Sequence, residues 1–229
     1  MKLGLILQRL RNSFANSVGT IVFGMEDGTV SIFGLIFGVA ATTANTKTVL
    51  IAGASGAVAA AVSMMAGAYL DIETTRDKAN AANLSLDSAS GSAMSLAGRL
   101  AKAGLTSDQS EALAVAVQNS PTAVAGLLRA LRGAPETPLD PLEQALWMLL
   151  ADFLAAAVPI LPFVFVPVPQ ARVVSGVVTL ALLIGLGVGR AQIAKRDTLR
   201  TIVETVSIGI AAAIAGVAIS LFIDRLFGH

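Results

Sequence analysis

The sequence predicts an all-α integral membrane protein of five transmembrane helices, with a cytoplasmic helical insert between spans two and three. Three observations predict it. Of 229 residues, 55% are hydrophobic and only 14% charged, and the mean hydropathy of +0.75 lies above that of soluble domains of this size. Five apolar stretches, roughly 18–42, 49–71, 145–168, 172–190 and 201–225, each approach the ~20 residues a helix needs to cross ~30 Å of hydrocarbon. Lys and Arg, finally, fall almost entirely on one side of the resulting topology.

Residues 1–17, with Lys2, Arg9 and Arg11, lack a small-residue cleavage region and read as an amphipathic helix at the membrane surface rather than a signal peptide. Spans one and two then occupy 18–71. The polar stretch 72–142 is the only segment of soluble-domain composition. Within it a first helix should run on from span two to about Ala103 and close at Gly104. Thr106 and Gln109 have the spacing of a capping box, and Pro121 is placed to open a further helix. Pro135, Pro138 and Pro141 make a linker into residues 143–229, which hold spans three to five. With the N-terminus, the insert and the loop after span four on one side, thirteen basic residues lie there. Lys47, Arg172 and Arg225 lie opposite. That asymmetry predicts a cytoplasmic N-terminus and insert and an outside C-terminus.

Several function classes lose their parts. There is no cysteine, and the only histidine is the terminal His229, so neither a thiolate or His-based zinc site nor a Ser/His/Asp triad can be assembled. The expectation is therefore not an enzyme, and no resident cofactor. A net charge of +1 without a basic tract gives no footprint for nucleic acid. The lipid bilayer is the expected environment.

Charges at bilayer depth are costly and usually face a cavity or a partner. Four acids qualify: Glu26 and Asp27 in span one, Asp152 in span three and Glu204 in span five. Glu204, four residues past Arg200, reads as an i,i+4 pair. Asp152 reads equally as a hydrogen bond to a neighbouring helix or as a functional group. Glu26 and Asp27 together suggest cation coordination, and a thioether such as Met64 or Met65 would favour a softer ion such as Fe²⁺. Taken alone, those methionines would be gap-filling packing. Gly24 and Gly28, Gly34 and Gly38, and Ala181, Gly185 and Gly189 recur at helical spacing. Ordinary close packing within the chain is preferred over a dimer face as their role.

These residues resemble the vacuolar iron transporter (VIT) family over nearly the whole chain. Residues 21–31 read IVFGMEDGTVS and 34–40 read GLIFGVA, similar to the family's F-G-x-x-D-G-x-V-S and G-L-x-x-G-V-A. Residues 63–70 read SMMAGAYL, followed by Arg76 and Asp77, like S-M-x-x-G-E-Y and R-D. Residues 157–163 read AVPILPF, like I-P-L-L-P. The resemblance implies a five-helix membrane domain that pairs as a homodimer and carries a cytoplasmic helical metal-binding domain. It also implies export of Fe²⁺ or Mn²⁺ from the cytosol, with Asp27 and Met64 lining the path. Glu26 is added as an accessory carboxylate.

The chain departs from the family pattern at informative places. Ala68 stands where glutamate usually precedes the tyrosine, and Leu131 where relatives tend to carry glutamate. Over 78–135 the acids are Glu111, Asp87 and Asp108 alone. Glu73, with Asp71 and Asp77, is the candidate substitute metal ligand, against the alternative of a solvated acidic helix face. Two functions follow: a divalent metal transporter driven by proton antiport, or a non-transporting scaffold or regulator of the same fold. Short loops lean toward a bacterial plasma membrane rather than a vacuolar one.

Overall fold

A computed structural model describes residues 2–89, 93–102, 104–117, 119–120, 122–123, 126–127 and 140–227. Their helices are α1 (Lys2–Thr42), α2 (Thr46–Ala89), α3 (Ala93–Lys102), α4 (Ser107–Val117), α5 (Pro141–Ile160), α6 (Pro162–Phe165), α7 (Val168–Ala194) and α8 (Thr198–Phe227). Five are long and apolar enough to cross a membrane: Leu10–Thr42, Thr46–Lys78, Pro141–Ile160, Val168–Ala194 and Thr198–Phe227. Backbone contacts divide the chain into two units, Met1–Leu70 with Leu139–His229, and Asp71–Pro138.

In the first unit α1 is the central helix, packed against α5, α7 and α8. It runs unbroken from Lys2 to Thr42, so the separate surface helix expected over residues 1–17 is continuous with the first span. No glycine or proline interrupts 5–18, and the stretch finds tertiary support. Ser13 accepts a 2.9 Å hydrogen bond from the Trp147 indole of α5, and the Phe14 ring meets the Trp147 ring edge-on at 5.4 Å.

Lipid tails are as apolar as leucine, so close van der Waals packing takes over from the hydrophobic effect in holding spans together. The glycines of α1 provide that closeness. A Cβ at Gly24 would lie 3.2 Å from the Met148 carbonyl of α5, and one at Gly38 would lie 2.6 Å from the Gly216 carbonyl of α8. Both glycine pairs of α1 are thus seams within the chain. Gly185 and Gly189 face open space, and Gly187 between them is the residue pressed against Ile202. Helix α2 joins through Val49 and Ala57, in one buried cluster with Ile32, Ile36, Ala156 and Phe163.

Span three ends at Ile160, earlier than the 168 expected, because Pro162 cannot extend it and instead opens the four-residue α6. The Ser175 hydroxyl of α7 donates at 2.8 Å to the Pro159 carbonyl, one of those orphaned at the end of α5. Between α7 and α8 the chain reverses through Lys195, which adopts φ +50°. Arg196 N–H reaches the Ala191 carbonyl at 3.0 Å, and Asp197 Oδ1 accepts from Arg200 N–H at 2.8 Å to start α8.

In the second unit Leu96, Leu100 and Ala114 form a small buried cluster between α3 and α4. Gly104, at φ +102°, closes α3 as expected. Its N–H bonds the Ala101 carbonyl and that of Leu105 bonds Leu100, the paired bonds of a Schellman motif. The capping box forms reciprocally. Thr106 N–H reaches Gln109 Oε1 at 3.1 Å, and Gln109 N–H reaches Thr106 Oγ1 at 3.4 Å. The expected continuation through 90–92, the helix start at Pro121, Leu131 and the proline linker residues Pro135 and Pro138 lie outside the described residues.

Candidate functional site

The polar groups of the first unit converge on the middle of α1. Glu26 is buried, and the Arg190 guanidinium of α7 donates to both its oxygens, at 3.0 and 3.3 Å. The buried Thr205 hydroxyl of α8 donates to Oε1 at 3.1 Å. One carboxylate therefore ties three spans together. Beside it a cavity of about 110 Å³ is lined by Gly19, Val22, Phe23, Glu26, Arg190 and Ile193. With its oxygens engaged this way, Glu26 is held as an anchor more than offered as a ligand.

Asp27, next along α1, points elsewhere by the 100° step of the helix and is half-buried. Gly28 is the contact point for α5: a Cβ there would fall 2.5 Å from the Asp152 backbone oxygen and 2.7 Å from Asp152 Oδ1. No other residue would let the two backbones meet. Asp152 is wholly buried, 0% exposed, and neither of its carboxylate oxygens has a hydrogen-bond partner among the described residues. The hydrogen bond to a neighbouring helix that the sequence allowed for is absent there. Asp27 directly precedes Gly28, so it lies on α1 one residue from this contact with Asp152.

Met64 lies half-buried on α2. Helices α1 and α2 run antiparallel, with Gly53 against Ile36 and Gly56 against Ile32 and Leu35. Met64 is eight residues, about 12 Å of helix, beyond Gly56 in the direction of the N-terminal half of α1. Glu73, in the second unit, is half-buried on α2. Glu204 is paired as expected, accepting from Arg200 at 3.3 Å and Arg196 at 3.5 Å. Among the described residues no group of three or more His, Cys, Asp or Glu side chains is set to hold a metal ion.

Sequence reasoning missed Arg190 and Thr205, which sit 164 and 179 residues from Glu26. Arg190 is the last residue of the expected span 172–190, counted there with the basic loop that follows, whereas α7 runs on past it to Ala194. An arginine within a candidate span was the available signal.

A sequence model of the VIT family matches residues 18–221. The chain belongs to the VIT family. Its similarity extends to vacuolar iron transporter 1 of Eucalyptus grandis, 27% identical over 86% of this chain and 83% of that protein. Vacuolar iron transporter 1 of Arabidopsis thaliana is 27% identical over 91% and 86%, and the vacuolar iron transporter of Centaurea cyanus 26% identical over 87% and 84%. The match to the VIT family contains the second to fourth candidate spans and most of the first and fifth, and with them Glu26, Asp27, Met64, Asp152, Arg190 and Thr205.

Proposed function

We propose that the chain is a divalent metal transporter that exports Fe²⁺ or Mn²⁺ from the cytosol in exchange for protons. The observation that carries this reading is Asp27, a half-buried carboxylate midway along a membrane-spanning helix, inside the part of the chain matched by the VIT family and similar to relatives named as iron transporters. Met64 on α2 supplies a thioether, suited to a borderline ion. A carboxylate that alternately holds a metal ion and a proton couples the two fluxes, since protonation on the far side releases the metal. The cargo undergoes no covalent chemistry, so neither an enzymatic step nor a resident cofactor is needed.

The basic-residue asymmetry supports a cytoplasmic N-terminus and 71–138 segment and an outside C-terminus, and the short loops support a bacterial plasma membrane rather than a vacuolar one. The resemblance supports a homodimer, with the bilayer and the metal ion as its other partners. Glu73 is proposed as a subsidiary metal contact on α2.

Reconstituted liposomes under an imposed pH gradient test this. Wild type should move Fe²⁺ and Mn²⁺, while Asp27→Asn and Met64→Ala should lose flux. A second reading, a scaffold that has lost transport, is favoured by the scarcity of acids over 78–135. It predicts a folded but silent wild type and no effect of Asp27→Asn.

A further inference from the structure

Asp152 is the one fully buried carboxylate of the described membrane helices with neither a hydrogen bond nor a counter-charge. Its exposure is 0% and both oxygens are unpartnered. The arginine of the polar cluster, Arg190, is engaged by Glu26, and Asp152 forms no ion pair among the described residues. An isolated carboxylate withdrawn from water costs several kcal/mol, and neutral packing of similar size would be more stable. Retention of such a group is accounted for by something that binds it. Three features show what. The side chain lies against the bare backbone of Gly28, where a Cβ would sit 2.7 Å from Oδ1. Gly28 directly follows Asp27, so the Asp27 backbone is one residue from the point where Asp152 meets α1. Two carboxylates balance one divalent cation, which leaves a neutral site, the cheapest charge state in a low-dielectric slab.

We propose that Asp152 is a second carboxylate ligand of the membrane-embedded cation site, joining Asp27 across the α1–α5 contact to hold a divalent ion of the Fe²⁺/Mn²⁺ class. This rests on the transport reading above and adds a ligand from a different span. Oxygen donors of this type suit hard and borderline divalent ions. Gly28 then serves the site by allowing α5 to come within reach of it. Asp152 acts by binding the ion in the metal-loaded state and is an uncompensated group in the empty one.

The test uses the purified full-length chain in detergent, with Mn²⁺ alone as the probe. Equilibrium binding and thermal unfolding with and without Mn²⁺ are compared for wild type, Asp27→Asn and Asp152→Asn. Asp152→Asn should lower Mn²⁺ affinity about tenfold or more. It should also unfold at a higher temperature than wild type in the absence of metal, because a buried charge has been removed, and lose most of the Mn²⁺-induced stabilisation. A side chain retained only for packing would give the opposite sign in the metal-free protein. Wild-type affinity in Asp152→Asn, with Asp27→Asn impaired, overturns the proposal while leaving the transport reading standing; Asp152 would then carry a proton or a buried water. Unchanged binding in Asp27→Asn, or none in wild type, overturns the transport reading itself. Should Asp152→Asn fail to fold, Asp152→Glu, which keeps the charge but moves the carboxylate by one methylene, gives the answer: a several-fold change in Mn²⁺ affinity supports Asp152 as a ligand, and wild-type affinity overturns it.

Discussion

Arg190 Nη1 sits 3.0 Å from Glu26 Oε1 and 3.3 Å from Oε2, an ion pair that bolts the first membrane helix to the fourth. Its value lies in what its loss would leave behind. Arg190→Met would strand a carboxylate whose side chain is only 11% exposed, beside a single hydroxyl. Removing one partner of a fully buried pair costs ~3–5 kcal/mol. The Arg190 side chain is 38% exposed, which lowers the expected loss to about 1–3 kcal/mol. Adding Glu26→Gln to Arg190→Met should recover much of it. Unfolding of the three variants in detergent, read as a double-mutant cycle, would reject the idea if the two losses simply added.

Gly38 and Gly185 make a controlled comparison. A side chain at Gly38 collides with the Gly216 backbone, whereas one at Gly185 meets nothing within 4 Å. Gly38→Val should destabilise by about 1–3 kcal/mol through forced separation of α1 and α8. Gly185→Ala should hold or raise stability, by up to about 1 kcal/mol. Equal effects would mean that the glycine seam is not where the helices grip.

Thr106→Ala removes one side of the reciprocal cap at the start of α4. The expected loss is about 1 kcal/mol of local stability. Hydrogen exchange should therefore speed up roughly fivefold over Ser107–Val117, with the membrane helices unaffected. No change in that segment would show the cap to be energetically idle.

Lys195 holds φ +50° without being glycine, a conformation that costs an L-residue roughly 1 kcal/mol or more. A β-branched side chain there is worse still, so Lys195→Ile should lower the unfolding temperature. Lys195→Gly should match or slightly exceed wild type. A tolerant Lys195→Ile would mean that the α7–α8 reversal has another route.

What the sequence disclosed was local. The presence of five apolar spans, the Thr106 and Gln109 cap, the Gly104 stop and the Arg200–Glu204 pair all depend on residues within a few positions of each other or on composition, and each was readable. The unbroken α1 was not. Its first turns are held by Trp147 and Ser13, partners 134 residues apart, and no local signal separates a helix lying on a membrane from one that continues into it. The site divided along the same line. Glu26, Asp27 and Asp152 stood out as acids in apolar surroundings, but depth says nothing of azimuth. Only the packed helices reveal that Glu26 faces an arginine while Asp152 faces a glycine and no donor.

Trp147 is the only tryptophan of the chain, and its indole N–H is fastened to Ser13 while its ring abuts Phe14. The molecule thus carries a built-in optical sensor at the junction of its first and third spans. Emission wavelength and quenching of that one chromophore, without any label, would register whether α1 stays seated on α5 as cargo is loaded and released.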